Sequence, residues 1–269
     1  MRVAVIGLTH LGQVAAACLA EAGIEVVAYN PTPVESVDEP GMPESDYETA
    51  ENAKDAVTNA NVIWLTIDTD LGAGIPDVSK TLQQADNALQ WASGGQRVLV
   101  SCQLPVGTVG KMQDKYPHLK FFVSPENLRR GKAVECFKNQ KRVVIGTADH
   151  PDESIANLFK PFCSNLFWTS IQSAEFVKHA LNTWLAMNIA WANELGNIAI
   201  KHGANPTAVT WALRSEGRVG EGAPIGYAKG NIGPHLQRDL TYLLQLNPEA
   251  HVLRGIQRAV DDWEAQGGN

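Results

Sequence analysis

The sequence is poor in cysteine and has no long apolar run, and both shortages exclude classes of protein. Its four cysteines are widely spaced and form no C-x-x-C pair, which argues against a disulfide framework or a zinc site and favours reduced thiols in a cytosolic protein. No apolar run approaches the roughly 18 residues that a membrane-spanning helix needs. The first residues, MRVAVIG, lead directly into a strand, so we expect no signal peptide and no membrane association.

Positive charge is also scarce. The 22 Lys and Arg residues stand against 29 Asp and Glu residues, for a net charge of −7. The longest basic cluster is LRRGK at residues 128–132, which is too short to indicate nucleic-acid binding. With 269 residues, of which 44% are hydrophobic and 19% charged, the chain has an ordinary globular composition and room for two domains. The expected ligand is therefore a small molecule.

Helical periodicity is strongest between Ser173 and Gly203. This stretch has no proline, and its apolar residues recur three and four positions apart. The pattern predicts one long amphipathic helix, with Ser173 as its N-cap and Gly203 as its stop. At about 1.5 Å per residue the helix would span about 45 Å. Because one small domain needs less, we expect it to link two parts of the molecule or to form a homodimer seam through Trp184, Trp191 and Leu195.

Lys178 and Asn182 are the informative polar residues of this predicted helix. They lie four positions apart and so share one face. The spacing alone leaves two interpretations of Lys178 open. Either its stem covers core while its amine reaches water, or it belongs to a functional site.

The beginning of the chain has the organisation of a dinucleotide-binding unit. The apolar run at residues 2–6 is typical of a buried parallel strand. It is followed by the turn GLTHLG at residues 7–12, an apolar helix and a second strand that ends at Asn30. Strand, glycine turn, helix and strand within about 30 residues predict a nucleotide site. Gly7 permits the tight turn, and Gly12 permits close packing of the helix on the strand.

Two residues depart from the usual dinucleotide pattern. Thr9 stands where a middle glycine lets the backbone approach the pyrophosphate, and Asn30 stands where an acidic residue usually binds the ribose hydroxyls. A turn that binds no nucleotide is the alternative. No arginine closely follows Asn30 to pair with a 2′-phosphate, so NAD is favoured over NADP. The predicted cofactor-binding residues are Gly7, Thr9, His10, Leu11, Gly12, Asn30, Thr69 and Ser101.

The rest of the chain divides into an α/β part and a helical part. Predicted strands alternate with predicted helices up to about residue 170, and one of these helices covers residues 48–59. This alternation predicts a doubly wound, Rossmann-type parallel sheet. We therefore expect a cofactor-binding Rossmann domain at residues 1–170 and an all-helical dimerisation domain, built on the long helix, at residues 171–269. The predicted strands after the first two lie at residues 61–67, 96–101, 119–123, 142–145 and 166–169.

Several segments together resemble the UDP-glucose/GDP-mannose dehydrogenase family. In chain order they are GLTHLG, SCQLPVGT, SPENLRRGKAVECF, KRVVIG, AEFVKHALNTWLAMNIAWANELGNIA and GNIGPHLQRDL. The resemblance covers nearly the whole chain. It implies an NAD-binding Rossmann domain followed by a long-helix dimerisation domain. It also implies oxidation of the primary alcohol of a nucleotide sugar to a carboxylate, in two hydride transfers through a thiohemiacetal on a catalytic cysteine.

The resemblance also assigns residues to a catalytic site. The glutamate of the family's SPE or NPE motif falls on Glu126. The lysine and asparagine of the family's long helix fall on Lys178 and Asn182. The threonine of its TP loop matches Thr69 loosely, because Asp70 replaces the proline.

The family's glycine-rich motif GFGGSCFPKD aligns with GNIGPHLQRD, which contains Gly233. Asp239 is kept, Arg238 replaces the lysine, and His235 stands at the position of the catalytic cysteine. Arg218 matches the arginine of the family's RIG motif, which reaches substrate across the dimer. Gly233 and Arg218 are therefore the predicted substrate-binding residues.

The five predicted catalytic residues are Lys178, Asn182, Asp239, Glu126 and His235, and no metal is expected. We expect Lys178, Asn182 and Asp239 to hold the substrate hydroxyl or a water. Glu126 is expected to set the charge state of Lys178. His235 is either a proton carrier, oriented by Asp239 four residues on, or a filler without a role in the chemistry.

The missing cysteine changes the expected reaction. Without a thiolate no thiohemiacetal forms, and the second oxidation loses its route. The sequence also ends at Asn269, before the family's C-terminal nucleotide-binding domain, so we expect a smaller or differently bound substrate. The first hypothesis is an NAD-dependent dehydrogenase that performs one two-electron oxidation of a nucleotide, nucleotide-sugar or sugar alcohol. An NAD-dependent epimerase acting by transient oxidation and a catalytically silent nucleotide-binding homologue are the alternatives.

Overall fold

The computed structural model describes residues 1–31, 33–44, 46–69, 76–126, 128–227 and 230–267. Among these residues, those up to Lys178 form one compact unit and those from His179 onward form a second. The boundary falls within one continuous helix, and each unit has its own apolar core.

A single sheet organises the first unit. Its strands are β1 (Arg2–Ile6), β2 (Glu25–Tyr29), β3 (Glu48–Thr49), β4 (Val62–Leu65), β5 (Arg97–Val100), β6 (Lys120–Val123), β7 (Val143–Thr147) and β8 (Leu166–Thr169). Their spatial order is β3-β2-β1-β4-β5-β6-β7-β8. Neighbouring strands are parallel except β6 and β7, which pair antiparallel with Phe122 opposite Thr147. The predicted Rossmann-type sheet is confirmed, with this antiparallel pair as the exception.

Helices cover both faces of the sheet. They are α1 (His10–Glu21), α2 (Ala53–Val57), α3 (Ser79–Leu89), α4 (Thr108–Lys115), α5 (Ala133–Lys138) and α6 (Glu153–Phe159). Strand side chains alternate between the faces. Val3 and Val5 pack in the cluster that contains α1, α5 and α6, whereas Ala4 and Ile6 pack in the cluster that contains α2, α3 and α4. Because β1, β4, β5 and β6 run parallel, their carboxyl ends share one edge of the sheet. Ligands of such sheets bind at this edge.

The predicted helix at residues 48–59 is wrong in its first half. Glu48–Thr49 is the edge strand β3, which pairs with β2 by placing Glu48 opposite Val27. Helix α2 begins only after Asn52, whose Oδ1 accepts a hydrogen bond from the Asp55 N–H at 3.0 Å. The edge pairing and this N-cap set the boundary that periodicity alone misses.

The long helix α7 (Ile171–Lys201) begins in the first unit, and its larger part, from His179 onward, belongs to the second. The prediction of Ser173 as its N-cap is wrong. The helix begins earlier, and the Ser173 N–H donates to Ser170 Oγ at 3.2 Å. Gly203, with a φ of 73°, follows the end of the helix as predicted.

In its described part the second unit consists of helices and the loops that connect them. It continues with α8 (Pro206–Arg214), α9 (Pro234–Leu246) and α10 (His251–Ala265). Its core joins α7, α9 and α10 through Ala186, Ala190, Ile232, Leu240, Ile256 and Val260. None of the helices in the described ranges is both long and apolar enough to cross a membrane.

Candidate functional site

The glycine turn after β1 is shaped so that two of its residues must be glycine. Gly7 has a φ of 104°, and a Cβ there would lie 2.7 Å from the backbone of Ile67. A Cβ on Gly12 would lie 1.9 Å from the carbonyl oxygen of Gly7. The turn is held by two further bonds: the Gly7 N–H donates to Tyr29 O at 2.9 Å, and Thr66 Oγ1 donates to Gly7 O at 2.6 Å. The backbone is thus rigid where a dinucleotide would approach it.

Helix α1 presents its N-terminus directly after this turn. Gln13 is the residue whose N–H first reaches back along the helix, to Thr9 O at 3.0 Å, so the N–H groups of residues 10–12 have no intrahelical acceptor. Such a helix end favours an anion, and the pyrophosphate of a dinucleotide is the anion that a glycine turn before a helix usually binds. Leu11 is buried at 8% exposure, and its role toward the cofactor stays a prediction. The residues present therefore fit NAD.

The two departures from the dinucleotide pattern brace the turn. Thr9 Oγ1 donates to Thr66 O at 3.0 Å and makes no cap on α1. Asn30 Oδ1 accepts from the Leu8 N–H at 2.6 Å. Both side chains hold the turn in place, and their roles toward the cofactor stay predictions.

The other two predicted cofactor residues connect the loops at the strand ends. Thr69 is buried, and its hydroxyl donates to Gln103 O at 2.6 Å. Ser101 Oγ donates to Ser124 O at 2.6 Å and accepts from Trp64 Nε1 at 2.9 Å. The loops after β4, β5 and β6 are joined by these bonds. Residues 70–75, which include Asp70 of the TP-like loop, lie outside the described residues.

The structure brings Glu126 and Lys178 together. Lys178 Nζ donates to the backbone oxygen of Glu126 at 2.7 Å and lies 3.8 Å from its Oε1. The other carboxylate oxygen accepts from the Leu128 N–H at 2.5 Å. The side chains are 15% and 29% exposed, respectively. The pair is therefore partly removed from water.

Two cavities adjoin this pair. One of about 20 Å³, enough for one water molecule, is lined by Lys178, Ser101 and Cys102 among others. The other, of about 310 Å³, is lined by Glu126 and carries Arg129 and Arg142 on its wall. The larger cavity has the size of a small-molecule site.

Two thiols of the first unit, those of Cys102 and Cys18, are poor nucleophiles. Burial raises the pKa of the Cys102 thiol, beside Lys178, to about 12. Burial likewise raises the pKa of Cys18 to about 11. Both thiols stay protonated near neutral pH, and neither replaces a catalytic thiolate.

The second unit contains a buried polar cluster around Asp239. Its Oδ1 lies 2.5 Å from His179 Nδ1, and its Oδ2 accepts from Asn182 Nδ2 at 2.6 Å. Asp239 is 0% exposed, His179 1% and Asn182 6%. The Tyr242 ring packs edge-on against His179, and Arg238 Nη2 lies 3.9 Å from the carboxylate. Both carboxylate oxygens are therefore fixed in direction.

Sequence reasoning missed His179. It lies three residues before Asn182 on α7, which places both on the face that meets Asp239. That spacing was a readable signal for a polar cluster. The prediction instead paired Asp239 with His235, which is exposed on the first turn of α9.

The predicted substrate residues lie at the surface of the second unit. Arg218 is 87% exposed in its side chain, and its Nε lies 3.0 Å from Glu216 Oε1. Gly233 is exposed at the N-cap position of α9. The structure does not bring Arg218 and Gly233 into the Asp239 cluster, and their roles stay predictions. No group of three or more metal-binding side chains occurs among the residues described.

Comparison with known proteins identifies two domains. A model described as the NAD binding domain of the UDP-glucose/GDP-mannose dehydrogenase family matches residues 1–163, and the central-domain model of that family matches residues 172–265. The predicted cofactor, NAD, is thereby confirmed. The UDP-glucose 6-dehydrogenase TuaD of Bacillus subtilis is 27% identical over 98% of this chain and 63% of its own length.

Two further similarities concern archaeal proteins. The UDP-N-acetyl-D-mannosamine dehydrogenase of Pyrococcus horikoshii is 26% identical over 97% of this chain and 68% of its own length. A solved UDP-glucose dehydrogenase structure from Pyrobaculum islandicum superposes with a TM-score of 0.86 at 23% identity, over 97% of this chain and 68% of that one. The structural likeness shows the fold. The chain spans less than two thirds of the length of the Bacillus relative.

Proposed function

The chain belongs to the UDP-glucose/GDP-mannose dehydrogenase family, and from this we propose that it is an NAD-dependent oxidoreductase acting on a CH–OH group. Its proposed substrate is a nucleotide, nucleotide-sugar or sugar alcohol. The observation that carries the proposal is the Lys178–Glu126 pair, which lies in the same unit as the glycine turn. A cation in the same unit as the cofactor turn is suited to stabilise an oxygen that gains negative charge.

NAD, when bound, supplies the hydride acceptor. The alcohol must also lose its hydroxyl proton, so its oxygen passes through alkoxide character. Lys178, whose Nζ lies 3.8 Å from Glu126 Oε1, stabilises that oxygen. The family assignment also gives catalytic roles to Asn182 and Asp239 of the second unit. Asp239, held by His179 and Asn182, is a fixed acceptor for a proton or for a water that carries it.

We further propose that the reaction stops after one two-electron step. The position of the family's cysteine is His235. Cys102 lines the same small cavity as Lys178, and its raised pKa keeps the thiol protonated. Without a thiolate the carbonyl product has no covalent route to a carboxylate. The basic wall of the larger cavity, with Arg129 and Arg142, favours an anionic substrate such as a nucleotide sugar over a neutral sugar.

The test is NADH absorbance and product analysis over a panel of nucleotide sugars, nucleotides and sugars. We expect one NADH per substrate and an aldehyde or ketone product, lost in Lys178→Ala and retained in the exposed α7 control Lys201→Ala. In His235→Cys we expect carboxylate product. Two NADH and a carboxylate from the wild type would contradict the single oxidation.

A catalytically silent homologue is the second candidate, because the side chains of Thr9 and Asn30 hydrogen-bond to the protein backbone at the turn. Calorimetry separates the two: tight NAD binding without turnover on any substrate would favour a sensor. Epimerisation by transient oxidation has its own signature, which is epimer product without accumulation of NADH.

We also propose a homodimer, formed through α7. Trp184 and Trp191 are each 45% exposed and Ile198 is 50% exposed. They recur every seven residues, and such a stripe along a helix is suited to pack against another helix. A second copy of the chain is the proposed partner.

A further inference from the structure

The carboxylate of Glu39 is almost completely buried in a loop that the sequence marks as polar. Its side chain is 3% exposed. Oε1 lies 2.7 Å from His10 Nε2 and accepts from the Gly131 N–H at 2.9 Å, and Oε2 accepts from the Ala133 N–H at 3.2 Å. These bonds, that of His10 first, hold the pKa of Glu39 below its ordinary value. Glu39 therefore stays ionised and accepts hydrogen bonds from three residues of two separate segments.

The loop that carries Glu39 is fastened along α1. Gln13 is buried on that helix, and its Nε2 donates to Leu8 O and to Glu35 O, both at 2.9 Å. Its Oε1 accepts from the Val37 N–H at 2.9 Å. The loop is thus held against the first turns of α1, beside the glycine turn.

Glu39 contacts the imidazole ring of His10, which is the first residue of α1. An ionised carboxylate only accepts, so His10 Nε2 carries the hydrogen of their bond. The other ring nitrogen, Nδ1, has no hydrogen-bond partner in the described part of the chain, and the side chain is 27% exposed. A pyrophosphate binds at the N-terminus of a helix that follows such a turn. His10 is the first residue of α1, so its side chain is next to the expected pyrophosphate site.

We propose that Glu39 is a positioning residue that holds the His10 imidazole against the pyrophosphate of the bound dinucleotide. The inference rests on the proposed function only in that NAD binds at this turn. A protonated ring donates Nε2–H to Glu39 and Nδ1–H to a phosphate oxygen, so one ring links the two anions. It also explains a histidine beside Thr9: the side chain adds a donor where the turn lacks the glycine that usually lets the backbone come close.

Glu39 also has a structural role, since it accepts from Ala133 at the start of α5. The test must separate the two. We would titrate His10→Phe, Glu39→Gln and the control Glu35→Gln, whose side chain is exposed on the same loop, with NADH, ADP and adenosine. In His10→Phe, Glu39 can still accept from the Gly131 and Ala133 N–H groups.

We expect NADH and ADP to bind about tenfold more weakly to His10→Phe and Glu39→Gln, while adenosine, which has no phosphate, binds as to the wild type. The double variant should be no weaker than His10→Phe alone, because Glu39 acts through the ring. Glu35→Gln should change nothing.

Three results would overturn the inference. Equal weakening of adenosine would assign Glu39 a structural role only, and unchanged ADP binding in His10→Phe would remove the ring from the pyrophosphate. A wild type that binds no NADH would overturn the cofactor site itself. Loss of turnover with NADH still bound would instead contradict the proposed dehydrogenase and leave the His10 contact standing.

Discussion

The glycine turn of the first unit and the Asp239 cluster of the second are built in opposite ways. The turn is made by the backbone of contiguous residues, and its specificity is the absence of side chains at Gly7 and Gly12. The cluster is made by buried side chains far apart in sequence, with Asp239 bonded to His179 and Asn182. The first is readable as a motif. The second exists only after α7 and α9 have packed.

The difference has an energetic consequence. A buried charged cluster is costly to break, because its remaining members lose an acceptor in a medium that supplies no water. A glycine turn fails differently, since an added methyl group meets backbone that cannot move aside. Substitutions should therefore separate the two regions by size of effect and by what is lost.

The largest effect is expected from Asp239→Ala. His179 and Asn182 would lose the acceptor of their hydrogen bonds at 2.5 and 2.6 Å, and we expect a loss of about 3 kcal/mol in the free energy of unfolding, together with loss of activity. Denaturant titration measures it. The control is Asp262→Ala, an exposed acid on α10, which should change stability by less than about 0.5 kcal/mol. Equal effects would mean that the cluster is not a stabilising centre.

Gly12→Ala should come next. The new Cβ would lie 1.9 Å from Gly7 O, and we expect destabilisation of about 2 kcal/mol with loss of NADH binding. Gly110→Ala in α4 is the matched control, because a Cβ added there would meet no atom within 4 Å beyond its own stretch of helix. It should stabilise by about 0.5 to 1 kcal/mol. Thermal unfolding with and without NADH shows both signs, and a stabilised Gly12→Ala would disprove the close contact.

Trp191→Glu tests the exposed face of α7 in the second unit. A charge in an apolar seam costs its desolvation, so we expect the variant to be a monomer at micromolar concentration while the wild type is a dimer. Trp91, on the first unit, has the same exposure of 45%, and Trp91→Glu should keep the dimer. Light scattering with size-exclusion chromatography decides. A monomeric wild type would end the dimer proposal.

The smallest effect is expected from alkylation of the native thiols. With a pKa of about 12 against an ordinary 9.0, the thiolate fraction of Cys102 at pH 8 is about a thousandfold below that of a free thiol. Alkylation followed by peptide mass mapping should leave Cys102 unmodified while labelling the exposed cysteine introduced by His235→Cys. Rapid labelling of Cys102 would reopen the search for a nucleophile in the first unit.

The alternating strands and helices were predictable because buried parallel strands are continuous apolar runs, as in residues 62–65 and 98–100. The strand Glu48–Thr49 was not, since a two-residue edge strand has no periodicity of its own and depends on its partner β2. The antiparallel direction of β7 was hidden for the same reason. Direction is a property of the pairing.

The candidate site divides along the same line. The need for glycine at residues 7 and 12 was readable from the motif, because the positive φ of Gly7 and the contact of a Gly12 Cβ with Gly7 O both arise within the turn, although a Gly7 Cβ would also meet Ile67. The partnership of Asp239 was not, because the sequence offered His235 at helical spacing and kept His179 out of view. The two histidines differ in burial: His235 is exposed, whereas His179 is only 1% exposed.

Sequence by itself determined the cofactor turn, the alternation of the sheet, the long helix and the family, since these depend on spacing and on the volumes of adjacent residues. Tertiary structure decided which polar groups meet: Glu39 with His10, Lys178 with Glu126 and Asp239 with His179. The physical reason is that a hydrogen bond is made over about 3 Å. Only the packing of helices on one another and on the sheet brings residues distant in sequence within that range.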